Sequence, residues 1–563
     1  MKTPSPASET LSSLADRYWA HLLATEPTTA LLLGHPEHLT EMEDMSREGE
    51  EANQRELRAF AAAARTIDPN GLTPAEQVTR EVLLFETESA AAELESRRAE
   101  FAVDPVLGAQ VTLLQLVGQI VLTEVDQAAG LLEKWSKVGG LFDQLIARLQ
   151  EGAAAGRTPP RISVEKVIAQ VDRYLATEEG TDPFAAVGPP PGLPQAEVEV
   201  WRRQLIGVVT DVIRPGYQRY AEVLRHEVLP VARPPERSGL FALPDGEEVY
   251  RRAVAKFTTL SVSPAELHET GLSIIEELSD EYRALAGSVL AESDLAKIYD
   301  QLRTDPSLRF LTPGEIVQTA RAAMDRAQTA LPGFFGRLPR ATCVMAEIPG
   351  PSAKDSTLAF YLPPASDGSR PGTFFINTTE PQTRTRYEAE ALAFHESIPG
   401  HHLQIAIAQE LEGVPEFQKN TVITAYVEGW GLYTERLSDE MGLYSNDLAR
   451  FGMLSFDSWR AGRLVVDTGI HAFGWSRQQA IDWMRDNSPQ APNNIENEID
   501  RYIGWPGQAL AYMTGRREIV RLRGEAERRL GQAFDLRRFH DLVLSSGPVP
   551  LPTLGRMVGD WTG

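Results

Sequence analysis

The chain has 563 residues, and 42% of them are hydrophobic, which is enough for a substantial core. Lysine and arginine total 55 against 79 aspartate and glutamate residues, so the formal net charge of -24 opposes binding to nucleic acid or to an anionic membrane. The single cysteine, Cys343, excludes an intramolecular disulfide.

We expect a cytoplasmic protein, provided that the chain begins at its natural start. Residues 1–6 contain no apolar signal core, and no uninterrupted apolar run of about 18 residues follows. No linker rich in proline, glycine and serine separates independent units, which favours one body with two lobes. These features leave the oligomeric state open.

The first lobe is predicted to span residues 1–240 and to be α-helical. Leu11, Leu14 and Tyr18 recur at helical spacing in its first helix, which ends near residue 33. Because the lobe holds no cluster of histidine, cysteine and carboxylate at ligand spacing, we interpret it as a scaffold and cleft wall. Further helices are predicted at 46–66, 74–98, 126–152, 163–178 and 194–228.

The second lobe, residues 241–563, is predicted to combine helices with a small antiparallel β-sheet. Strand-forming residues are concentrated at 342–347, 357–362 and 372–377, and residues 363–371 link the last two strands. The strand at 372–377 is a candidate to accept a substrate backbone as an added strand, and an ordinary edge strand is the alternative. Helices are predicted before the sheet at 246–256, 263–288, 294–303 and 312–330, and again after it.

A group of metal-ligand residue types follows the sheet. The stretch His395-Glu396-Ser397-Ile398-Pro399-Gly400-His401-His402 precedes Glu428, which lies on a separate predicted helix. Two neutral imidazoles and a carboxylate are suitable ligands for Zn²⁺. A second carboxylate, Glu396, stands beside the first imidazole as a candidate base for a water on the metal. This combination predicts a hydrolytic site with His395 and Glu428 as ligands.

The second histidine ligand is ambiguous in the sequence. Pro399 cannot donate the helical hydrogen bond and Gly400 follows it, so the helix should bend directly after His395. In a straight helix His402 would share the face of His395 but lie about 10 Å away. His401 requires the smaller distortion and is preferred, while His402 remains the alternative.

Three helices are predicted around these ligands. The first has a capped start at Thr379-Glu380-Pro381 and runs to Glu396, and the second ends near Gly413. The third runs from about residue 421 to 441, with Glu428 off its apolar stripe. Glu435 and Asp467 are candidates to orient the ligand histidines.

These segments resemble the bacterial family catalogued as domain of unknown function 885. The resemblance is carried by residues 393–404, 427–435, 463–472 and 501–515, and by Tyr18-Trp19 near the N-terminus, so that it covers nearly the whole chain. It implies a mainly α, gluzincin-like metallopeptidase with two lobes around a deep cleft. Substrates across that family are mostly unassigned, so the resemblance implies a reaction class rather than a substrate.

A tyrosine or histidine donor is expected to stabilise the charge that develops on the carbonyl oxygen. Tyr512 resembles the late tyrosine of helical zinc carboxypeptidases, Tyr502 is the alternative, and His471 is a second candidate. We therefore expect a zinc-dependent hydrolase of peptide or peptide-like amide bonds in small substrates. The alternatives are an amidase acting on one small metabolite and a non-catalytic, metal-containing binding protein, which the presence of Glu396 disfavours.

Overall fold

The computed structural model describes residues 5–348, 357–365, 368 and 370–563, and it is mainly helical, as predicted. The helices begin at local signals in the sequence: Ser5 caps the first, and Thr73 and Glu76 form a reciprocal capping box at the fourth. The helices that precede the sheet are α1 (Pro6–Thr25), α2 (Pro27–Leu32), α3 (Arg47–Thr66), α4 (Pro74–Glu95), α5 (Ala109–Val117), α6 (Gln127–Ser136), α7 (Val138–Ala154), α8 (Arg161–Leu175), α9 (Gln195–Val208), α10 (Arg214–Val223), α11 (Gly246–Thr258), α12 (Pro264–Val289), α13 (Leu295–Thr304) and α14 (Pro313–Phe334).

The predicted helices of this part are present, with local differences. The helix predicted at 126–152 is divided at Lys137 into α6 and α7. The one predicted at 194–228 contains wider turns at Val209–Ile213 and Leu224–Val228. Helix α5 has no counterpart among the predictions, because its apolar run carries no clear helical period and Gly108 provides no side-chain cap.

The sheet has three strands, β1 (Cys343–Glu347), β2 (Ala359–Leu362) and β3 (Gly372–Ile376), close to the predicted positions. Their order is β1-β3-β2, with β1 parallel and β2 antiparallel to β3, so the prediction of an antiparallel sheet was wrong. Strand β3 was also wrongly interpreted as the strand that accepts a substrate backbone. It is central, and both of its edges are already hydrogen-bonded to neighbours. Residues 366, 367 and 369 of the predicted loop lie outside the described residues.

The remaining helices carry the candidate site. They are α15 (Ala389–Glu396), α16 (His401–Gln409), α17 (Glu416–Asn420), α18 (Thr424–Glu440), α19 (Asp447–His471), α20 (Arg477–Asp486), α21 (Pro492–Gly504), α22 (Ala511–Leu530), α23 (Leu536–Leu544) and α24 (Leu551–Asp560). No helix within the described ranges combines the length and the apolar character needed to cross a membrane.

Helix α15 begins later than predicted. The expected start at residues 379–381 forms a tight turn, Pro381–Thr383, and the helix itself starts at Ala389. In between, the backbone N–H of Arg386 donates to Leu308 and the carbonyl of Arg384 accepts from Phe310. The backbone groups of this segment are therefore satisfied by a distant segment instead of by helical bonds.

The largest hydrophobic cluster joins the N-terminal helices to the helices of the candidate site. It includes Leu11 and Val82 from α1 and α4 together with Phe394 and Trp430 from α15 and α18. A buried hydrogen bond of 2.7 Å from Thr79 Oγ1 to Gln418 Oε1 links the same regions. The division predicted at residue 240 stays a prediction, and this cluster extends across it.

Helices α18 and α22 cross at glycines. A Cβ atom on Gly515 would overlap the carbonyl oxygen of Ala425 and lie 2.8 Å from the Cα atom of Gly429. The two backbones are therefore closer than any side chain would permit. This crossing places Tyr512, one turn before Gly515, on the part of α22 that faces the Glu428 region of α18.

We expect Gly515→Ala to lower the unfolding midpoint, because the added methyl overpacks the crossing and costs roughly 1–3 kcal/mol. Gly524→Ala in the same helix is the matched control, since the nearest neighbour of its Cβ would be a flexible arginine end at 3.5 Å. The control should be neutral or stabilising by about 1 kcal/mol through helix propensity. Thermal unfolding of both variants measures this, and equal midpoints would contradict the close crossing.

Candidate metal centre

Three side chains converge between α15, α16 and α18. The Nε2 atoms of His395 and His401 each lie 3.5 Å from Oε2 of Glu428. The candidate ligand atoms of the three residues all lie within 4.8 Å of one another. The preferred histidine of the sequence prediction, His401, is the one that joins this group.

The break between α15 and α16 produces this convergence. Helix α15 ends at Glu396, the Ile398–Pro399 peptide bond is cis, and α16 begins at His401. A Cβ on Gly400 would overlap the carbonyl oxygens of Phe394 and His395, so glycine is required where the chain doubles back. The predicted bend after His395 is thus confirmed, and it places the two imidazole rings 4.6 Å apart and nearly perpendicular.

Helix α18 holds the other side of the group. Trp430 Nε1 donates to the Pro399 carbonyl at 3.0 Å and so fixes the turn. A Cβ on Gly431 would lie 2.7 Å from Cε1 of His395, so the absence of a side chain there leaves room for the ring. Trp430 therefore fixes the turn, and the adjacent Gly431 leaves space for the imidazole ring of His395.

His395 is oriented by a buried carboxylate. Its Nδ1 lies 2.8 Å from Oε1 of Glu435, a fully buried residue about two turns after Glu428 on α18. A proton on Nδ1 that donates to Glu435 leaves the lone pair of Nε2 directed toward Glu428 and His401. The sequence proposed this orienting role for Glu435, and the structure shows the contact that it requires.

The electrostatics of the group favour a positive charge. Burial alone would lower the pKa of His395, but the carboxylates of Glu428 and Glu435 outweigh it and raise the pKa to about 9. Burial would raise the pKa of Glu428, yet His395 and His401 hold it well below its usual range. In the metal-free protein, a protonated His395 therefore balances the negative charge of the carboxylates, as a metal cation would.

The residues fit a zinc ion by donor type, spacing and charge. Ligands at about 2.1 Å around a tetrahedral ion lie about 3.4 Å from one another, close to the separations from Glu428 to each histidine. Two carboxylates, Glu428 and Glu435, match a divalent charge around two neutral imidazoles. The Glu428 side chain is 20% exposed, so the group is reachable from its open side.

His402 does not join the group. Its Nδ1 lies 2.8 Å from the Tyr361 hydroxyl and its Nε2 lies 3.1 Å from the Ala341 carbonyl. Burial lowers the pKa of His402 to about 4, so it is neutral and both ring nitrogens are occupied. The alternative assignment of His402 as a ligand is not supported, since the ring fastens α16 to the sheet.

His471 and Asp467 have other partners as well. His471 Nδ1 accepts from the Leu240 N–H at 3.1 Å, and its Nε2 donates to the Tyr502 carbonyl at 3.0 Å. Burial lowers the pKa of His471 to about 3. Asp467 accepts from the Tyr250 hydroxyl at 2.6 Å and from the backbone of Gly507. The geometry therefore gives His471 no free donor for a substrate and gives Asp467 no ligand histidine to orient.

Tyr512 and Tyr502 differ in availability. The Tyr502 hydroxyl is fully buried and is bonded to Trp459, Arg463 and Glu498. Within the described part of the chain, the Tyr512 hydroxyl has one hydrogen bond, a weak one of 3.4 Å from the Gln508 amide. Burial and the nearby Glu428 carboxylate raise the pKa of Tyr512, which keeps the hydroxyl protonated as a donor.

Glu396 is half-buried at the end of α15, and no hydrogen bond or ion pair engages it among the described residues. Its carboxylate is near enough to raise the pKa of His395, but it is not one of the three converging residues. A cavity of about 50 Å³ lined by Phe101, Phe257 and Pro506 includes none of these residues. The candidate site rests on converging polar atoms, not on that cavity.

Sequence reasoning missed two arginines, Arg460 and Arg463, which lie buried on α19 near Tyr512. Their only signal in the sequence is their position one turn apart in a helix that is otherwise apolar or small over most of its length. Arg463 pairs with Glu498, whereas Arg460 forms no hydrogen bond or ion pair among the described residues, which is rare for a buried arginine.

The sequence profile of a family described as bacterial protein of unknown function (DUF885) matches residues 27–558. A crystal structure described as a "putative lipoprotein from Colwellia psychrerythraea" is 25% identical, with a TM-score of 0.92 and 100% of both chains covered. A "putative lipoprotein of unknown function from Shewanella oneidensis" is 17% identical, with a TM-score of 0.77 over 98% of this chain and 100% of that one. No curated protein matches the chain.

We expect His401→Ala to lose bound zinc and His402→Ala to retain about one ion per chain, as a site with three protein ligands would. The two residues are adjacent, both buried and of the same type, so the pair is its own matched control. Metal analysis after dialysis measures the stoichiometry. Equal retention by both variants would remove His401 from the ligand set.

We expect Glu435→Gln to weaken zinc binding about 10- to 100-fold, because the amide keeps the shape but removes the charge that polarises His395. Glu440→Gln, at the end of the same helix and 47% exposed, is the control and should bind zinc normally. Competition with a chelator of known affinity gives both constants. Unchanged affinity in Glu435→Gln would show that the contact is merely structural.

Proposed function

We propose that this chain, which belongs to the bacterial family of proteins of unknown function called DUF885, is a zinc-dependent hydrolase of peptide or peptide-like amide bonds. The observation that supports the proposal is the convergence of His395, His401 and Glu428, next to Glu396, whose carboxylate has no hydrogen bond or ion pair in the described ranges. The three side chains would hold the ion and leave a fourth position open, which is the arrangement of a catalytic zinc. When bound there, zinc would activate a water and polarise a carbonyl group.

The residues of the chain have distinct roles in this proposal. Glu396 accepts a proton from the attacking water as the new C–O bond forms. It then gives that proton to the amide nitrogen as the C–N bond breaks, so that an acid and an amine leave. Tyr512 donates a hydrogen bond to the carbonyl oxygen while that oxygen carries negative charge.

The environment supports Glu396 as the base in preference to the other carboxylates. Glu428 is engaged by two histidines and Glu435 by one, and burial encloses Glu435 completely. Glu396 follows His395 directly, so it is rotated roughly 100° around the helix from it, and it is only half-buried. It is the carboxylate in this group that is free to exchange a proton with water.

The location of the protein is a separate proposal. The sequence predicts a cytoplasmic protein, whereas two solved structures with this fold carry the description "putative lipoprotein". The cytoplasmic assignment therefore stays a prediction, which fractionation of cells expressing the natural gene tests.

We expect Glu396→Gln to keep zinc and to lower turnover by about 10²- to 10⁴-fold, the usual contribution of a positioned general base. A screen of di- to decapeptides with products identified by mass spectrometry supplies the substrate, and zinc is measured on the same preparation. The exposed Glu412→Gln nearby is the control and should be fully active. Near-normal turnover with zinc bound would exclude Glu396 from the mechanism, and loss of zinc would make it a ligand.

A further inference from the structure

Arg460 is a buried guanidinium without a counter-ion. It is 5% exposed on α19, and its Nε and Nη1 atoms are enclosed with no hydrogen-bond partner among the described residues. The guanidinium carbon lies 4.4 Å from the ring centroids of both Phe456 and Trp459, so two aromatic faces hold it. Cation–π contacts offset only part of the cost of burying a charge, which normally requires a hydrogen-bonded partner.

Arg463, one turn further along α19, has a free donor near the same place. Its Nε donates to the Tyr502 hydroxyl at 2.8 Å and its Nη2 to Glu498 at 3.0 Å, but its Nη1 is buried without a partner. The Tyr512 ring centroid lies 4.2 Å from the guanidinium carbon of Arg463 and 6.0 Å from that of Arg460. Two arginines, each with an N–H group that has no partner among the described residues, thus lie near the ring of Tyr512.

This group adjoins the candidate metal centre. Burial lowers the pKa of Arg460, and the carboxylates of Glu435 and Glu428 act in the opposite direction. Both carboxylates are therefore near enough to act on the guanidinium, while neither forms an ion pair with it among the described residues. The guanidinium carbon of Arg460 also lies 6.0 Å from the ring centroid of Tyr512, whose helix crosses α18 next to Glu428.

We propose that Arg460, assisted by Nη1 of Arg463, binds the C-terminal carboxylate of the substrate, so that the enzyme removes the last residue of short peptides or N-acyl amino acids. A planar guanidinium can donate two parallel hydrogen bonds to a carboxylate, so that its buried N–H groups and the carboxylate oxygens all gain partners. The α-carboxylate of the residue after the scissile bond is three covalent bonds from the scissile carbonyl carbon. A receptor for it must therefore lie close to the metal ligands, and these arginines lie against Tyr512, on the helix that crosses α18 at Gly429, next to Glu428. The inference rests on the proposed hydrolase function.

The test compares an N-acylated dipeptide, its C-terminal amide, and an amide with an acidic last side chain. The wild-type protein should cleave the free acid at least about 10-fold better than either amide. Arg460→Gln should lower kcat/KM for the free acid by about 10²-fold, as loss of a buried charge partner does, and change the amide by less than about 3-fold. Arg460→Lys should recover part of the loss, because it restores charge without the planar fork.

Arg450→Gln is the matched control, since Arg450 lies on the same helix, is 40% exposed and pairs with Asp439. Zinc affinity should be unchanged in all three variants. Equal cleavage of the free acid and the amide by the wild-type protein would overturn the proposal. The proposal would also fail if Arg460→Gln lowered kcat/KM equally for both substrates and weakened zinc binding. That second result would mean that Arg460 acts only through Glu435. Preference for the acidic side chain would assign the site to that group instead and likewise overturn it.

Binding without turnover separates this inference from the hydrolase proposal. Calorimetric titration of the zinc-loaded protein with an N-acetyl amino acid should show binding that Arg460→Gln weakens at least about 10-fold, while the corresponding amide binds weakly to both. If this result occurs but no peptide is cleaved, the carboxylate site stands and the hydrolase proposal fails. If peptides are cleaved but acid and amide bind alike, the hydrolase proposal stands and the carboxylate site fails.

Discussion

The buried hydrogen bond between His395 and Glu435 is the interaction on which the candidate site depends. It joins α15 to α18 inside the core, at a position where Glu435 has no access to solvent. Because an unpaired carboxylate in such a place is costly, the bond restricts how the two helices can slide or rotate relative to each other. Gly431 supports the same register, since any side chain there would meet the imidazole. The direction of Nε2 in His395 follows from this packing.

The break after α15 adds the second ligand at little cost to the core. A continuous helix would have carried His401 around the axis and away from His395. The turn at residues 397–400 instead reverses the chain, and Trp430 holds it from the same helix that supplies Glu428. One helix, α18, thus provides one candidate ligand, the partner of a second candidate ligand and the anchor of the turn. Displacement of α18 would affect all three together.

Helix α19 makes the surroundings of the site electrostatically asymmetric. It is enclosed on nearly every side, yet it carries Asp457, Arg460 and Arg463 in its middle. Asp457 is compensated by Arg436 and Arg516, whereas Arg460 has only aromatic faces. A carboxylate-rich side that suits a cation therefore adjoins a guanidinium side that suits an anion. A substrate that carries its negative charge next to a polarised carbonyl would complement both sides at once.

Much of the fold and of the site follows from local signals in the sequence. Caps, proline positions and apolar periodicity predict most helices up to residue 441 and a helical character after it, and clusters of strand formers predict the three strands, because these signals act within a few residues. The same holds for the ligand group: Pro399 and Gly400 predict the bend, and the bend selects His401 over His402. Glu428 and Glu435 are recognisable because both lie off the apolar stripe of one helix.

Tertiary structure alone decided the properties that depend on distant partners. The parallel pairing of β1 with β3 and the central place of β3 arise from contacts between separated segments, and no local pattern encodes strand order. His471 is occupied by the backbones of Leu240 and Tyr502, which lie 231 and 31 residues away in the chain. The isolation of Arg460 is likewise a property of its surroundings. Sequence determines which groups are present and which face of an element they occupy, whereas burial and partnership depend on the packing of the whole chain.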